Sequence, residues 1–168
     1  MGTPPDRDEV DDLVASWRRV RPDLPTEPLE VLSRVKRVSH QLDQGRRAAF
    51  AGHGLQMWEF DVLAALRRSG EPYQLSPGQL LKQNHVTSGT MTNRVDRLAT
   101  RGLVERQTDP ADGRGVIVRL TEAGMTVVDA ALADLLAWEE TQLGALDRDD
   151  RDLLATLLRR LLLAVADA

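Results

Sequence analysis

The feature that constrains the fold most is a segment near the middle of the chain whose pattern changes from helical to alternating. Ser76, Pro77 and Gln79 supply an N-cap, a proline at the first helical position and a glutamine placed to complete a capping box. This pattern predicts a short helix that ends near Lys82, and residues 84–86 then form a turn. A chain that reverses here places a second element against the first.

A second helix and two strands follow that turn. Either Thr87 or Ser88 is placed to cap a helix that ends near Gly102, because glycine commonly follows a helix end. Residues 103–108 and 115–120 alternate apolar and polar side chains and are joined by DPADGRG, which is rich in turn formers. The segment is therefore predicted to be a winged helix-turn-helix, in a fold that is mainly α with a small β-hairpin wing.

Helical periodicity accounts for most of the remaining chain. Apolar residues recur at helical spacing in several further segments, and the three prolines of RPDLPTEP mark a connector between the first two of them. The predicted helices cover residues 6–20, 26–49, 56–68, 121–143 and 147–166.

The last predicted helix is richer in leucine than one buried face requires. Leu153, Leu154, Leu157, Leu158 and Leu161 are followed by two more leucines. An uncovered patch of this kind is unusual on a monomer, so we expect the terminal helices to form the interface of a homodimer.

Composition excludes several kinds of site. The chain has no cysteine, which excludes disulfides and thiolate zinc sites, and its three histidines do not have metal-ligand spacing. We find no nucleophile–base pair, phosphate-cradling glycine loop or zinc-protease motif, so we expect no catalytic residue, no metal, no cofactor and no enzyme activity. The acidic first residues and the lack of an apolar run of roughly 20 residues predict a cytoplasmic protein without a membrane partner.

The helix after the turn has one apolar face and one basic face. At about 100° per residue, Met91, Val95 and Leu98 share the side that turns to the core, whereas Asn93 and Arg97 point the other way. Residues 86–120 carry six arginines and four acidic residues, a local charge of +2 in a chain of net charge −4. Arginine and asparagine suit base edges in a major groove and small hydroxyls suit phosphates, so we expect this face to bind double-stranded DNA. The other predicted DNA-binding residues are Thr87, Ser88, Thr90 and Arg101.

The predicted wing carries a charged pair at its turn. Asp112 and Arg114 are close enough to form an ion pair that holds the tip while Arg114 enters a minor groove. The alternative is an ordinary surface ion pair, just as Arg97 and Arg101 are alternatively solvated surface charges. His85, in the turn before the basic helix, is either a protonation switch, a phosphate donor or a plain turn residue.

These elements divide the chain by role within one continuous domain. Residues 1–25 are the extra N-terminal helix and connector, residues 26–52 and 121–168 are dimerisation helices, and residues 53–120 are the DNA-binding lobe.

The stretch VDRLATRGLVER followed by DPADGRGVIVRLTEAG resembles the winged-helix signature of the MarR family of transcription regulators. This resemblance implies a two-fold dimer on a pseudo-palindromic operator, with half-sites about one DNA turn apart, that is released by a small and often anionic ligand. The extra helix before Pro22 makes the chain similar to the urate-responsive branch of the family (HucR- and PecS-like). A branch that responds to trans-aconitate and citrate is also similar.

The resemblance to the urate-responsive branch points to Trp17, Asp61, Arg94 and Arg106 as ligand-binding residues. Arg94 lies about 60° from Met91 around its helix, so it borders the buried face and is poorly aimed at DNA.

The other three residues also fit a ligand role by their own chemistry. Asp61 interrupts an apolar helix, which predicts a buried carboxylate that needs Arg94 or Arg106 as its partner. Arg106 stands at the base of the wing, and Trp17 is suited to stack on a planar ligand. The alternatives are a packing role for Trp17, a structural ion pair for Asp61, and a phosphate contact for Arg106.

Together these observations predict a ligand-responsive regulator, expected to be a repressor. The ligand is expected to compete with Asp61 for the two arginines, and urate, another purine, trans-aconitate and citrate all fit. Trp58 and His40 are possible wall residues of the same cavity. The alternative is a DNA-binding or protein-interaction winged-helix protein that has no small-molecule ligand.

Overall fold

The computed structural model describes residues 7–84, 87–109 and 115–166, and the chain divides into two compact units, Met1–Arg46 and Arg47–Ala168. The helices are α1 Glu9–Val20, α2 Glu27–Ala51, α3 Met57–Arg68, α4 Pro77–Asn84, α5 Ser88–Thr100, α6 Glu122–Gln142 and α7 Arg148–Ala166, and a short 3-10 helix covers Leu143–Ala145. The strands are β1 Gln74–Leu75, β2 Val104–Thr108 and β3 Val116–Leu120. The predicted fold class, mainly α with a small β wing, is confirmed.

The first unit is held by charges at the start of α1. The Asp8 side chain caps α1 by accepting hydrogen bonds from the backbone N–H groups of Val10 and Asp11. The Arg34 guanidinium on α2 donates to Asp8 at 2.8 Å and to Asp11 at 2.9 Å. The hydrogen bond from Arg34, helped by those from the backbone N–H groups of Val10 and Asp11, holds the pKa of the Asp8 carboxyl at about 2, below its ordinary 3.8. The Asp8 carboxylate therefore stays ionised, and paired with Arg34, to a lower pH than an unpaired aspartate would.

In the second unit, α3, α4 and α5 pack around one apolar core with the sheet and α6. Leu63 and Leu66 of α3 meet Leu80 of α4 and Leu98 of α5, all fully buried. The rings of Phe50 and Phe60 stack with centroids 3.9 Å apart. The inner faces of α4 and α5 are thus held in place by a close-packed core.

The sheet has the order β1-β3-β2, and both pairings are antiparallel. The β2–β3 register places Val104 opposite Leu120 and Arg106 opposite Val118. The alternating sequence pattern predicted the hairpin but not β1, which is only two residues long. Tyr73, just before β1, has a positive φ of 58° and accepts a hydrogen bond from the Leu120 N–H.

A junction formed by residues 102–104 and 120–124 joins α5, the wing and α6. Gly102, with φ 70°, ends α5, and the N–H of Leu103 donates to the carbonyl of Leu98 in a Schellman-type arrangement. The Thr121 hydroxyl caps α6 and also donates to the Gly102 carbonyl at 2.8 Å. The backbone of Gly124 lies against the Leu103 carbonyl. The segment that follows α5 and the start of α6 are therefore joined by a direct hydrogen bond.

Helix α7 leaves its leucines uncovered. None of its residues is buried, and Leu157, Leu162 and Leu163 are among the exposed large hydrophobic residues. Val31, Leu32 and Val38 on α2 are exposed in the same way. None of the helices in the described parts of the chain carries an apolar stretch of the length and composition that a lipid bilayer requires.

Candidate functional site

Helix α5 presents the two faces that its sequence predicts. Met91, Val95 and Leu98 are at most 1% exposed and fix the inner face of the helix in the core. On the outer face, Asn93 and Arg97 are exposed. A polar and basic helix face is thus presented to solvent on a rigid support, which is the geometry that groove reading requires.

The start of α5 carries a row of exposed hydroxyl groups. Thr87 is the N-cap residue, and its Oγ1 lies 2.9 Å from Oγ1 of Thr90. Ser88 is exposed beside them. A helix N-terminus with exposed hydroxyls favours an anion such as a DNA phosphate.

Arg101, which we predicted to contact DNA, is engaged by a carboxylate inside the lobe. Its Nη1 lies 2.8 Å from Oε2 of Glu59, which is only 3% exposed, and its Nη2 donates to the Gly54 carbonyl at 3.1 Å. The buried Glu59 was not predicted from the sequence. The role of Arg101 at DNA stays a prediction, and the ion pair gives this residue a structural role as well.

A cleft of about 590 Å³ lies between the end of α2, the start of α3 and α5. Asp61 and Arg94 both line it, as does Trp58, so the structure brings together two predicted ligand residues and one predicted wall residue. Arg47, which the sequence analysis did not single out, adds a second guanidinium to the same cleft. The cleft therefore offers two cationic groups, one carboxylate and an indole.

The expectation that Asp61 is buried is wrong. Asp61 is exposed in the wall of the cleft, and the buried carboxylate of α3 belongs to Glu59. The two residues are about 200° apart around the helix, so one faces the core when the other faces outward. The apolar residues around Asp61 in the sequence did not indicate that Glu59, and not Asp61, faces the core.

Trp58 lies beside both arginines of α5. The Cζ atom of Arg94 is 5.5 Å and that of Arg97 is 4.9 Å from the centroid of its indole ring. The indole N–H donates to the side-chain oxygen of Gln56, which fixes the orientation of the ring. Arg94 is half-buried and Arg97 is exposed, as their angles on the helix predict.

The remaining predicted residues have partners of their own, belong to the first unit, or are outside the described residues. Arg106 is paired with Asp96 of α5, and its Nη2 lies 3.0 Å from Oδ1 of that residue. Arg106 is not among the described residues that line the cleft. Trp17 is 46% exposed on α1, and His40 on α2 is hydrogen-bonded to Gln44, both within the first unit. The residues that lie outside the described ranges are His85, Asp112 and Arg114.

Comparison with known proteins agrees with this geometry. A family model described as the MarR family matches residues 53–115. The HTH-type transcriptional regulator PecS of Dickeya dadantii (strain 3937) is 35% identical over 152 residues, which cover 90% of this chain and 92% of PecS.

Two solved structures are similar in fold. A mutant MarR from E. coli in complex with operator DNA has a TM-score of 0.66 and 25% identity, covering 87% of this chain and 97% of that one. The structure of Bordetella bronchiseptica BpsR, which concerns the regulation of its DNA binding by 6-hydroxynicotinic acid, has a TM-score of 0.65 and 26% identity, covering 78% of this chain and 91% of that one.

Proposed function

The chain belongs to the MarR family of transcriptional regulators, and from this premise we propose that it is a repressor that binds operator DNA as a homodimer and is released by a small anion. Its relatives regulate transcription, so the chain is a DNA-binding regulator and not an enzyme. The observation that carries the proposal is the basic outer face of α5, held over a buried inner face.

The proposed homodimer is supported by the uncovered apolar residues of α7 and α2. Among the described residues, helix α7 buries none of its leucines, and a second copy of the chain is the proposed cover for them. A two-fold dimer would present two α5 helices to one side of the DNA, which requires half-sites about one helical turn apart. The operator is therefore proposed to be pseudo-palindromic.

Direct DNA contact is assigned to Asn93 and Arg97, with Thr87, Ser88 and Thr90 on phosphates. We expect Arg97→Ala to weaken operator binding about 5- to 150-fold, because one bidentate contact with guanine contributes about 1–3 kcal/mol of discrimination. The measurement is a gel-shift titration, at several salt concentrations, with the intergenic DNA that flanks the gene encoding this protein.

The matched control is Arg68→Ala, which removes the same charge from an exposed site on α3. This variant should bind the operator within about twofold of the parent. Equal losses in both variants would mean that net charge, and not a contact by Arg97, accounts for binding, and no loss in either would favour a protein-interaction module.

The proposed ligand site is the cleft lined by Arg47, Trp58, Asp61 and Arg94. Its volume of about 590 Å³ lies within the range of about 300–1,000 Å³ common for small-molecule sites. Two guanidiniums suit a small anion such as urate, another purine, trans-aconitate or citrate, and the indole favours the flat ones among these. BpsR, a relative in fold, is regulated by 6-hydroxynicotinic acid, another flat anion. Arg106 and Trp17 stay proposed ligand residues, and Arg106 must leave Asp96 to take part.

The proposed mechanism is a competition between two anions for Arg94. We propose that a bound ligand takes over Arg94 from Asp61, which lines the same cleft, and that α5 shifts because Arg94 is part of it. Because binding free energies are linked, operator DNA must weaken ligand binding by the same factor by which the ligand weakens DNA binding. A thermal-shift screen of planar anions identifies the ligand, since selective binding to the folded state raises its melting temperature.

The Asp61→Asn variant tests the competition. We expect it to bind operator DNA as the parent does without ligand, but to lose most of the ligand response, because the competing charge is gone. Coupling in regulators is typically about 5- to 150-fold, and the variant should fall to about twofold or less. The measurement is operator affinity with and without the anion that gives the largest thermal shift.

The control for this variant is Asp149→Asn, a change of the same kind at an exposed position in the first turn of α7. It should respond to the anion as the parent does. If Asp61→Asn keeps the full response, the role of Asp61 is refuted, and if no anion changes the melting temperature of the parent, the regulator has no such ligand.

A further inference from the structure

Trp58 holds two arginines of α5 that the proposed function assigns to different tasks. Arg94 faces the ligand cleft and Arg97 faces DNA, yet their Cζ atoms lie 5.5 Å and 4.9 Å from the same indole centroid. The indole is also part of the cleft wall and packs against the apolar core. One side chain therefore touches the ligand site, the interior and the DNA-reading face.

Both contacts are within the distance at which a cation is attracted to an aromatic face, which is about 6 Å. Arg97 is exposed, so its cation–π contact belongs to the weaker class, and a contact of that class changes an equilibrium about two- to fivefold. The two guanidiniums are three residues apart on one helix, where like charges repel. The indole therefore stabilises an arrangement that the helix alone disfavours.

We propose that Trp58 is a positioning residue that competes with DNA for Arg97, and that an anion bound to Arg94 makes this competition stronger. In the free protein the guanidinium of Arg97 rests over the indole, and it must leave the ring to reach a base edge. This inference rests on the proposed DNA contact of Arg97 and on the proposed anion site.

The direction of the ligand effect follows from charge. An anion on Arg94 neutralises that guanidinium and draws it toward the cleft, so the repulsion on Arg97 falls and Arg97 is left as the cation beside the indole. Arg97 is then retained on the protein more firmly. Operator affinity falls for this reason in addition to any shift of α5 itself.

The test is a double-mutant cycle on operator binding without any ligand. Trp58→Leu should tighten binding about two- to fivefold, because the competing contact of Arg97 is lost, and Trp58→Phe should tighten it less because a weaker aromatic face remains. In an Arg97→Ala background, Trp58→Leu should change nothing. Neither change at position 58 alters the charge, so the salt dependence should equal that of the parent.

A spectroscopic measurement does not depend on the fold of the Trp58 variants. Trp58 is the only tryptophan left in a chain with Trp17→Phe and Trp138→Phe. Operator DNA should change the emission of that chain, and the change should be lost when Arg97→Ala is added. An equal change with and without Arg97 overturns the proposal.

The outcomes separate this inference from the proposed function. If Arg97→Ala does not weaken operator binding, the DNA contact of Arg97 fails and the inference fails with it. If Arg97→Ala weakens binding but Trp58→Leu leaves it unchanged or weaker, only the competition by Trp58 is overturned. If the anion weakens DNA binding equally in the parent and in Trp58→Leu, the ligand acts without Trp58.

Discussion

Gly124→Ala is expected to lower the free energy of unfolding by about 3 kcal/mol, the upper part of the range for overpacked sites. A Cβ at this position would lie 2.1 Å from the carbonyl oxygen of Leu103 and 2.9 Å from Cδ1 of Leu120. The first of these neighbours is backbone at the start of the wing and has no rotamer to change. The start of α6 would have to separate from the wing, so operator binding should fall as well.

The sign of this effect distinguishes the clash from helix propensity. Alanine in place of glycine inside a helix favours folding by about 1 kcal/mol when space is available. Unfolding in urea and a melting curve measure the outcome, and about 3 kcal/mol corresponds to a melting temperature about 6–12 °C lower in a chain of this size.

The control for this substitution is Gly144→Ala in the short 3-10 helix. A Cβ there meets no described atom within 4 Å. This variant should unfold within about 1 kcal/mol of the parent. A Gly124→Ala protein as stable as the parent would show that the contact between α6 and the wing yields easily.

Arg101→Ala is expected to destabilise the lobe by about 2 kcal/mol. Removing one partner of a buried ion pair costs about 3–5 kcal/mol, and the lower figure allows for solvent at Arg101, whose side chain is 39% exposed. Glu59 would keep the hydrogen bond from the Gln56 N–H but would lose its only guanidinium among the ion pairs of the described residues. Chemical unfolding of the variant measures the loss.

A second substitution identifies the cause. Glu59→Gln removes the charge but keeps the side-chain shape, so combining it with Arg101→Ala should cost less than the sum of the two single changes. Additive losses would mean that the two residues act independently. If Arg101 also contacts a phosphate, its loss reduces the slope of operator affinity against salt, a readout that the ion pair does not affect.

The elements that local rules determine were predictable from the sequence. The inner face of α5 follows from the spacing of Met91, Val95 and Leu98, and its end follows from Gly102, because both depend on residues a few positions apart. Strand β1 was not predictable from periodicity, because two residues do not establish a pattern. It pairs with β3 across more than forty residues of chain.

Long-range partners set the limit of what could be predicted for the site. Arg94 was predicted to border the buried face and is half-buried, because its angle to Met91 is a local quantity. Arg101 was assigned to DNA and Arg106 to the ligand, but their carboxylate partners, Glu59 on α3 and Asp96 on α5, come from other elements of the fold. Sequence identifies an arginine as a cation, whereas only the fold determines which anion lies within reach.

The junction of α5, the wing and α6 determines how motion can reach the DNA. Because Thr121 is hydrogen-bonded to Gly102 and the backbone of Gly124 lies against Leu103, α5 has no independent hinge at this junction. Helix α6 has 21 residues, which makes it roughly 32 Å long. If α6 rotates as a rigid body by about 5° about its C-terminal end, its N-terminal end, and with it α5 and the wing, would move by about 3 Å.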